Sequence, residues 1–199
     1  MAVARYARFK TVRIIAGEFR GRQLLGPEGR RTRPITDRVK QSLFDILAPD
    51  LPGSRVYDCF AGTGSLGLES LSRGAEHVTF FESDRSAVMR LRRNLDMLGV
   101  AHRSHVVTQD LFAWFATGSA PPKPANLMFL DPPYRFLRER DAGLQRLAEQ
   151  AVISHLADDG IVVFRHDAGD RLELPALHRY DQRQYGGMTI ELLRRPKHE

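Results

Sequence analysis

The sequence predicts an α/β fold: a mostly parallel sheet covered by helices on both faces and closed by an antiparallel pair. Three observations predict it. From Arg55 onward, short apolar runs alternate with helical patterns, the sequence form of repeated strand-helix units. Gly62, Gly64 and Gly67 stand directly between the first of those strands and the first helix, where such sheets turn around a ligand. Near the end, "RYDQRQYGGMTIELL" places two β-rich runs around Gly186-Gly187, a hairpin signal.

At the front, "TVRIIAGEFRGRQLL" reads as strand, glycine-containing turn, strand. In "RPITDRVKQSLFDIL", Thr36 is an N-cap, Asp37 lies in the first turn, and Val39, Leu43, Ile46 and Leu47 share one helical face. The front is therefore a small β-hairpin and one helix docked on the main sheet. Five strands follow, Arg55 to Phe60, His77 to Glu82, His105 to Thr108, Leu127 to Leu130 and Gly160 to Arg165. Helices are expected over Leu66 to Ser72, Arg85 to Leu98 and Arg138 to Leu156, the second with a core stripe at Val88, Leu91, Leu95 and Leu98.

A chain of 199 residues, 42% hydrophobic, fits one domain with a small appendage. The division is expected at residues 1–50 and 51–199. The lone Cys59 excludes an intrachain disulfide and a cysteine-cluster zinc site, which suits a reducing compartment, the cytoplasm by default. No apolar run approaches a membrane span, and "MAVARYARFK" has no hydrophobic core for a secretory signal. The net charge of +6 is uneven: residues 1–40 hold eleven Lys/Arg against three acids, +8, and the remainder comes to −2. A basic front on a near-neutral body reads as a polyanion-binding surface, and nucleic acid fits better than membrane because no long amphipathic helix accompanies it. The arginines expected to make that nucleic-acid contact, RNA on the resemblance given below, are Arg20, Arg22, Arg33 and Arg38.

"VYDCFAGTGSLGLESL" satisfies G-x-G-x-x-G, and such a turn lets a ligand approach the backbone at a helix N-terminus. Glu82 closes the second strand at the distance where an acid grips ribose hydroxyls, which a nicotinamide dinucleotide and S-adenosyl-L-methionine both possess. Two features favour the methyl donor. Asp58 precedes the glycines, where a pyrophosphate has no use for a carboxylate and a methionine ammonium does. Asp110, past the third strand, can accept from an adenine amino group, or it can cap a helix over "LFAWF"; both readings stand. No Lys-Ser/Thr follows the glycines, which argues against a nucleotide triphosphatase.

The apolar run "NLMFL" ends in "DPPY", Asp131 to Tyr134. Two prolines end the ladder and hold the backbone extended. An exocyclic amine on a nucleobase is a poor nucleophile because its lone pair is delocalised into the ring. The carboxylate of Asp131 and the carbonyl of Pro132, held by Pro133, can accept from its two N–H bonds and stabilise the charge that develops on nitrogen, while Tyr134 stacks on the base.

Together, "RIIAGEFRGRQL", "RPITDRVKQSLFDIL", "DCFAGTGSLGLESLSRGA", "FFESD" and "LDPPY" resemble the RsmD-type bacterial 16S ribosomal RNA guanine-N2 methyltransferases. The resemblance runs from about Arg13 to Tyr134. It implies a Rossmann-like class I S-adenosylmethionine-dependent methyltransferase fold with a seven-stranded sheet and an antiparallel C-terminal hairpin. It also implies that Asp58, Phe60, Gly62 and Gly64 hold the methionine part of the donor, Glu82 the ribose and Asp110 the adenine. Asp131 to Tyr134 would hold the target amine, with Asp131 also beside the donor. The implied partner is ribosomal RNA within the small subunit or an assembly intermediate, with no membrane and a monomer favoured. "IVVFRHD" departs from the pattern, which has an acid where this chain has Arg165.

Other classes fit less well. A cytosine-C5 methylase needs a cysteine nucleophile, and Cys59 reads as a small buried strand residue. The seven histidines show no metal-like spacing. A DNA amino-methylase acting on adenine N6 or cytosine N4 shares the chemistry, but no stretch is left for a target-recognition domain. A non-enzymatic RNA-binding module would carry a damaged donor site, whereas the acids and glycines are all present.

Overall fold

A computed structural model describes residues 12–27, 35–117 and 123–196. The front hairpin pairs β1 (Val12–Arg13) antiparallel with β2 (Gln23–Leu24). Helix α1 (Asp37–Ile46) starts where expected, with the Thr36 hydroxyl accepting from the Val39 N–H. The main body then runs β3 (Arg55–Cys59), α2 (Ser65–Ser72), β4 (His77–Phe81), α3 (Arg85–Leu98), β5 (Ser104–Val107), α4 (Leu111–Ala116) and β6 (Ala125–Leu130). It ends with α5 (Phe136–Glu139), α6 (Asp141–Ser154), β7 (Leu156–Asp167), β8 (His178–Tyr185) and β9 (Met188–Arg194).

The main sheet has seven strands in the order β5-β4-β3-β6-β7-β9-β8. Strands β3 to β7 are parallel, and β9 runs antiparallel to both β7 and β8. Alternation along the strands divides the core into two layers. Val56, Val78, Phe80, Leu127 and Phe129 face α1, α2, α3 and the front hairpin, while Tyr57, Phe81, Met128 and Leu130 face α4, α5 and α6. Val12, Ile14, Leu43 and Phe44 of the front belong to the first layer, continuous with the sheet. Edge strand β8 is mostly exposed, carries Arg179, Asp181 and Arg183, and shifts register against β9 between Arg179 and Asp181.

Two expected elements change. The helix foreseen over Arg138 to Leu156 begins at Phe136 and breaks at Arg140, which leaves the helical region (φ −141°). There its guanidinium lies over the rings of Phe112 and Phe136, 5.4 and 5.0 Å from their centroids. Strand β7 starts at Leu156 rather than Gly160, because Ala125 pairs with Leu156 and Leu127 with Ile161, a register shift that absorbs the intervening residues. Among the described residues no helix is long and apolar enough to cross a membrane.

The front is held by charge as well as packing. Glu69, in α2, is fully buried and accepts from the backbone N–H groups of Ile15 (2.8 Å) and Ala16 (3.0 Å) and from Arg73 Nε (2.9 Å). Lys40, counted among the basic front residues, is 1% exposed, with Nζ 3.3 Å from Glu69 and 2.6 Å from the Arg13 carbonyl. It is therefore an internal cation and not part of a polyanion-binding surface. Burial pulls its pKa down and the Glu69 charge opposes that shift. Ser72, at the end of the same helix, accepts from Glu18 N–H with its carbonyl and from Phe19 N–H with its hydroxyl.

Glu69→Ala leaves the buried Lys40 ammonium without its counter-charge and two backbone N–H groups without an acceptor, and should cost about 3–5 kcal/mol. Lys40→Met leaves Glu69 with three donors and should cost clearly less. Urea unfolding of both variants checks the order, and equal losses would reduce the site to a simple ion pair.

Candidate active site

A cleft of about 360 Å³ opens beyond the carboxyl ends of β3, β4 and β6, where the strand order reverses about β3. Asp58, Phe60, Gly62, Glu82, Asp110, Asp131, Pro132, Pro133 and Tyr134 all line it. Of the residues expected around a donor and a target amine, the structure leaves out Gly64.

The glycine turn explains that difference. Phe60 leaves β3 with φ +63°, a conformation non-glycine residues adopt only under constraint. Gly62 (φ +57°) borders the cleft, and nothing lies within 4 Å of where a Cβ would stand. A Cβ on Gly64 (φ +86°) would sit 2.5 Å from Leu91 Cδ1, and its N–H is bonded to the Ala61 carbonyl. A Cβ on Gly67 would meet the Phe80 ring at 2.3 Å. The first glycine faces the cleft; the other two let α2 pack against α3 and the sheet.

The acids are anchored by backbone. Asp58, on the α2 side of β3, accepts from the Gly67 N–H at 2.9 Å and so caps the helix from the strand. Burial pushes its carboxyl up to about 7, the Gly67 N–H opposes the shift, and the Asp131 and Glu82 charges add to it. Glu82 accepts from Gly62 N–H with Oε2 and from Asp84 N–H with Oε1, both at 2.8 Å, which ties the glycine turn to the start of α3. Asp110 accepts from Ala113 N–H at 3.0 Å, so of its two readings the helix cap is the one the structure displays.

Across the cleft, pairing of Leu130 with Phe164 sets Asp131 beside Arg165 just past the strand ends. Arg165 Nε donates to Asp131 Oδ1 at 2.6 Å, with side chains 12% and 18% exposed. The residue that departs from the family pattern thus holds the carboxylate of the "DPPY" segment. The Pro133 carbonyl accepts from Phe136 N–H at 2.7 Å. His166 points to the other side of β7, stacked on Phe164 and 3.6 Å from Glu191, away from the cleft. Cys59 is buried as expected.

Sequence reasoning named Phe60 and missed the aromatic wall it shares with Phe112 and Phe136. The rings of Phe60, Phe112 and Phe136 line the cleft with centroids 5.9 to 6.1 Å apart. Its one signal was an aromatic residue two places after each of Asp110 and Tyr134. Such a wall accepts a planar ring.

The expected RNA-binding arginines are dispersed. Arg38 is exposed in the first turn of α1, and Arg33 lies outside the described residues. Arg22 donates to the carbonyl of Met97, near the far end of α3, and the exposed Arg20 belongs to the same turn. At 1.5 Å per residue, that carbonyl is about 20 Å along the helix from Asp84 at the cleft rim. The structure does not bring Arg20 and Arg22 to the cleft.

A carboxyl raised in the folded chain binds its proton more tightly there than in the unfolded chain. Asp58 should therefore make stability fall as pH rises from about 4 to about 7, with no further loss above. Asp58→Asn keeps an oxygen for the Gly67 N–H and should remove that decline. Urea unfolding at pH 5 and pH 8 reads it; a decline that survives the substitution would belong to another group.

A profile of the family described as conserved hypothetical protein 95 matches residues 12–194. YlbH of Bacillus subtilis is 35% identical over 164 residues, 82% of this chain and 86% of that protein. Ribosomal RNA small subunit methyltransferase D of Escherichia coli is 43% identical over 124 residues, 62% of this chain and 61% of that one. Among solved structures, yhhF from Escherichia coli has a TM-score of 0.78 at 32% identity, over 94% of this chain and 98% of its own. SMU.776, solved with S-adenosylhomocysteine, has a TM-score of 0.67 at 13% identity over 86% and 52%, a likeness of fold alone. The sheet order and its antiparallel hairpin are those of the S-adenosylmethionine-dependent methyltransferases. Since the family match runs from the first residue of β1 to the last of β9, the chain belongs to the RsmD (conserved hypothetical protein 95) methyltransferase family.

Proposed function

We propose that this chain transfers a methyl group from S-adenosylmethionine to the exocyclic N2 of a guanine in small-subunit ribosomal RNA. The observation that carries the reading is Asp131, held by Arg165 at the mouth of a cleft that also gathers Asp58 and Glu82. A buried acid raised to about 7 fits the ammonium of the donor, because a cation there relieves the burial and the repulsion that raised it. Glu82, fixed by two backbone N–H groups, keeps lone pairs for ribose hydroxyls, and Asp110 keeps its second oxygen for the adenine amine. The aromatic wall supplies an apolar seat for the adenine, and Gly62 admits the donor close to the backbone.

The bound donor supplies an electrophilic methyl on a sulfonium, whose C–S bond breaks toward sulfur as the N–C bond forms. At the target, Asp131 and the Pro132 carbonyl accept from the amine and hold its lone pair toward the methyl; Tyr134 stacks on the base. The Pro133 carbonyl is committed to Phe136, which leaves the Pro132 carbonyl as the second acceptor. With Arg165 on Oδ1, Asp131 orients the amine as a hydrogen-bond acceptor, and after transfer the proton passes from nitrogen to bulk water. Residues 1–50 serve substrate capture through exposed arginines such as Arg38.

Labelled methyl transfer to small subunits, naked ribosomal RNA and duplex DNA, with product nucleosides identified, tests the function. N2-methylguanine from ribosomal RNA is expected, and N6-methyladenine or N4-methylcytosine in its place would overturn the target. Asp131→Ala should lower the single-turnover rate about 100- to 1000-fold with donor affinity kept, by analogy with removing one preorganised oxyanion-hole donor. Asp131→Asn should fall between. Near-wild-type turnover by the alanine variant would end the acceptor role. Arg165→Gln should slow transfer in the wild-type background and add little to Asp131→Asn, a coupling of about 1–3 kcal/mol; full additivity would separate Arg165 from Asp131.

A further inference from the structure

Charge summed along the chain assigned the basic surface to residues 1–40, but among the described residues a basic face also lies on the catalytic body. Helix α3 carries Arg85, Arg90, Arg92 and Arg93 against Asp96 alone. Its buried stripe of Val88, Leu91, Leu95 and Leu98 faces the sheet, and Asn94 bonds the Leu25 backbone of the front hairpin. The remaining face is exposed and consists of Arg85, Met89, Arg92, Arg93, Asp96 and Met97, which fall within an arc of about 140°. Among the described residues Arg85, Arg92 and Arg93 are paired with no acid. Asp84, the nearest acid toward the cleft, is occupied as the N-cap, accepting from Ala87 N–H.

Two further facts give this face a direction and a chemistry. Its N-terminal end adjoins Ser83 and Asp84 on the cleft rim, and its C-terminal end meets Arg22 on the Met97 carbonyl, with Arg20 beside it. Exposed cations thus run from the far hairpin turn back to the cleft along about 20 Å of helix. Met89 and Met97, 52% and 44% exposed, are two of the three large apolar side chains the described residues leave in solvent, and both lie along it. A shallow groove bounded by Arg85, Met89, Arg93 and Thr108 follows the helix.

We propose that the exposed face of α3 is a track for the RNA backbone, with Arg85, Arg92 and Arg93 on successive phosphates, Met89 under a ribose or base, and Arg20 and Arg22 extending it. Cations spaced along a helix match a polyanion of regular charge spacing, and interleaved apolar side chains match its sugars and bases. The proposal rests on the reading of the chain as an RNA methyltransferase, and it moves the main electrostatic contact from the front segment to a helix of the catalytic body.

The test compares wild type, Arg85→Gln/Arg92→Gln/Arg93→Gln, and a control with the same charge loss at exposed positions outside α3 and the front hairpin, Lys123→Gln/Arg146→Gln/Arg171→Gln. Affinity for naked small-subunit ribosomal RNA is measured against salt concentration, together with calorimetric S-adenosylhomocysteine affinity and thermal unfolding. The α3 variant should bind RNA at least about tenfold more weakly near 0.15 M salt, with a salt slope shallower by about 2, since each lost phosphate contact removes about 0.7 for a single strand. Its donor affinity, melting temperature and transfer rate at saturating RNA should stay at wild-type values, and the control should keep the wild-type slope. An unchanged slope in the α3 variant, or an equal loss in the control, would make this face an ordinary solvated one. Unchanged binding to naked RNA with lost binding to assembled subunits would make the occupant a protein and overturn the RNA track. If wild type itself neither binds nor methylates ribosomal RNA, the functional reading fails; if wild type does both and the α3 variant matches it, only the track fails.

Discussion

Glu69 is the point on which the front half of this protein converges. A carboxylate with no access to water must find donors inside the fold, and Glu69 finds them in the hairpin backbone, Lys40 of α1 and Arg73 at the C-cap of its own helix. Desolvating so many polar groups is tolerable only because each is satisfied at once, so the elements that supply them assemble together or not at all. Lys40 also reaches Ser65 Oγ, the first residue of α2, at 3.4 Å. The glycine turn, Gly62 to Gly64, ends one residue earlier, so the same cluster that docks the front also anchors the turn that borders the cleft.

On the cleft side the electrostatic problem is inverted. Asp58, Glu82 and Asp131 face a shared space, and Arg165 is the cation the described lining residues bring directly onto one of them. The protein stabilises this excess of negative charge with oriented N–H dipoles from Gly62, Gly67 and Asp84. Such dipoles cannot move away, and they leave lone pairs facing the space. A binding site assembled this way is most stable when something positive enters it.

Local patterns were legible wherever the cause of a structure lay within a few residues of its effect. Thr36 caps α1, the stripe Val88, Leu91, Leu95 and Leu98 is buried, and Gly186-Gly187 turns between β8 and β9, because caps, periodicity and two-residue loops are local physics. Most of the cleft was legible too, since parallel strands deliver their ends to one edge. The failures share one origin, the projection of sequence into space. Lys40 looks like one basic residue among eleven until Glu69, 29 positions later, is seen beside it. Gly64 matches a fingerprint whose spacing cannot say which side of the turn each glycine faces. Arg165 read as a departure from pattern because nothing in a one-dimensional string shows that β7 sets it against Asp131.

Edge strand β8 has a consequence for the protein at high concentration. An open edge of a seven-stranded sheet is a template onto which an unfolding neighbour can add its own strand. Here the edge strand alternates Arg179, Asp181 and Arg183 with Tyr180, Gln182 and Gln184 and shifts register against β9. A chain that paired with it would have to bury those charges and match an irregular ladder. The construction of this strand therefore guards the molecule against aggregation along its longest exposed edge, a protection that would weaken if the shift were straightened or the charges replaced by β-branched apolar residues.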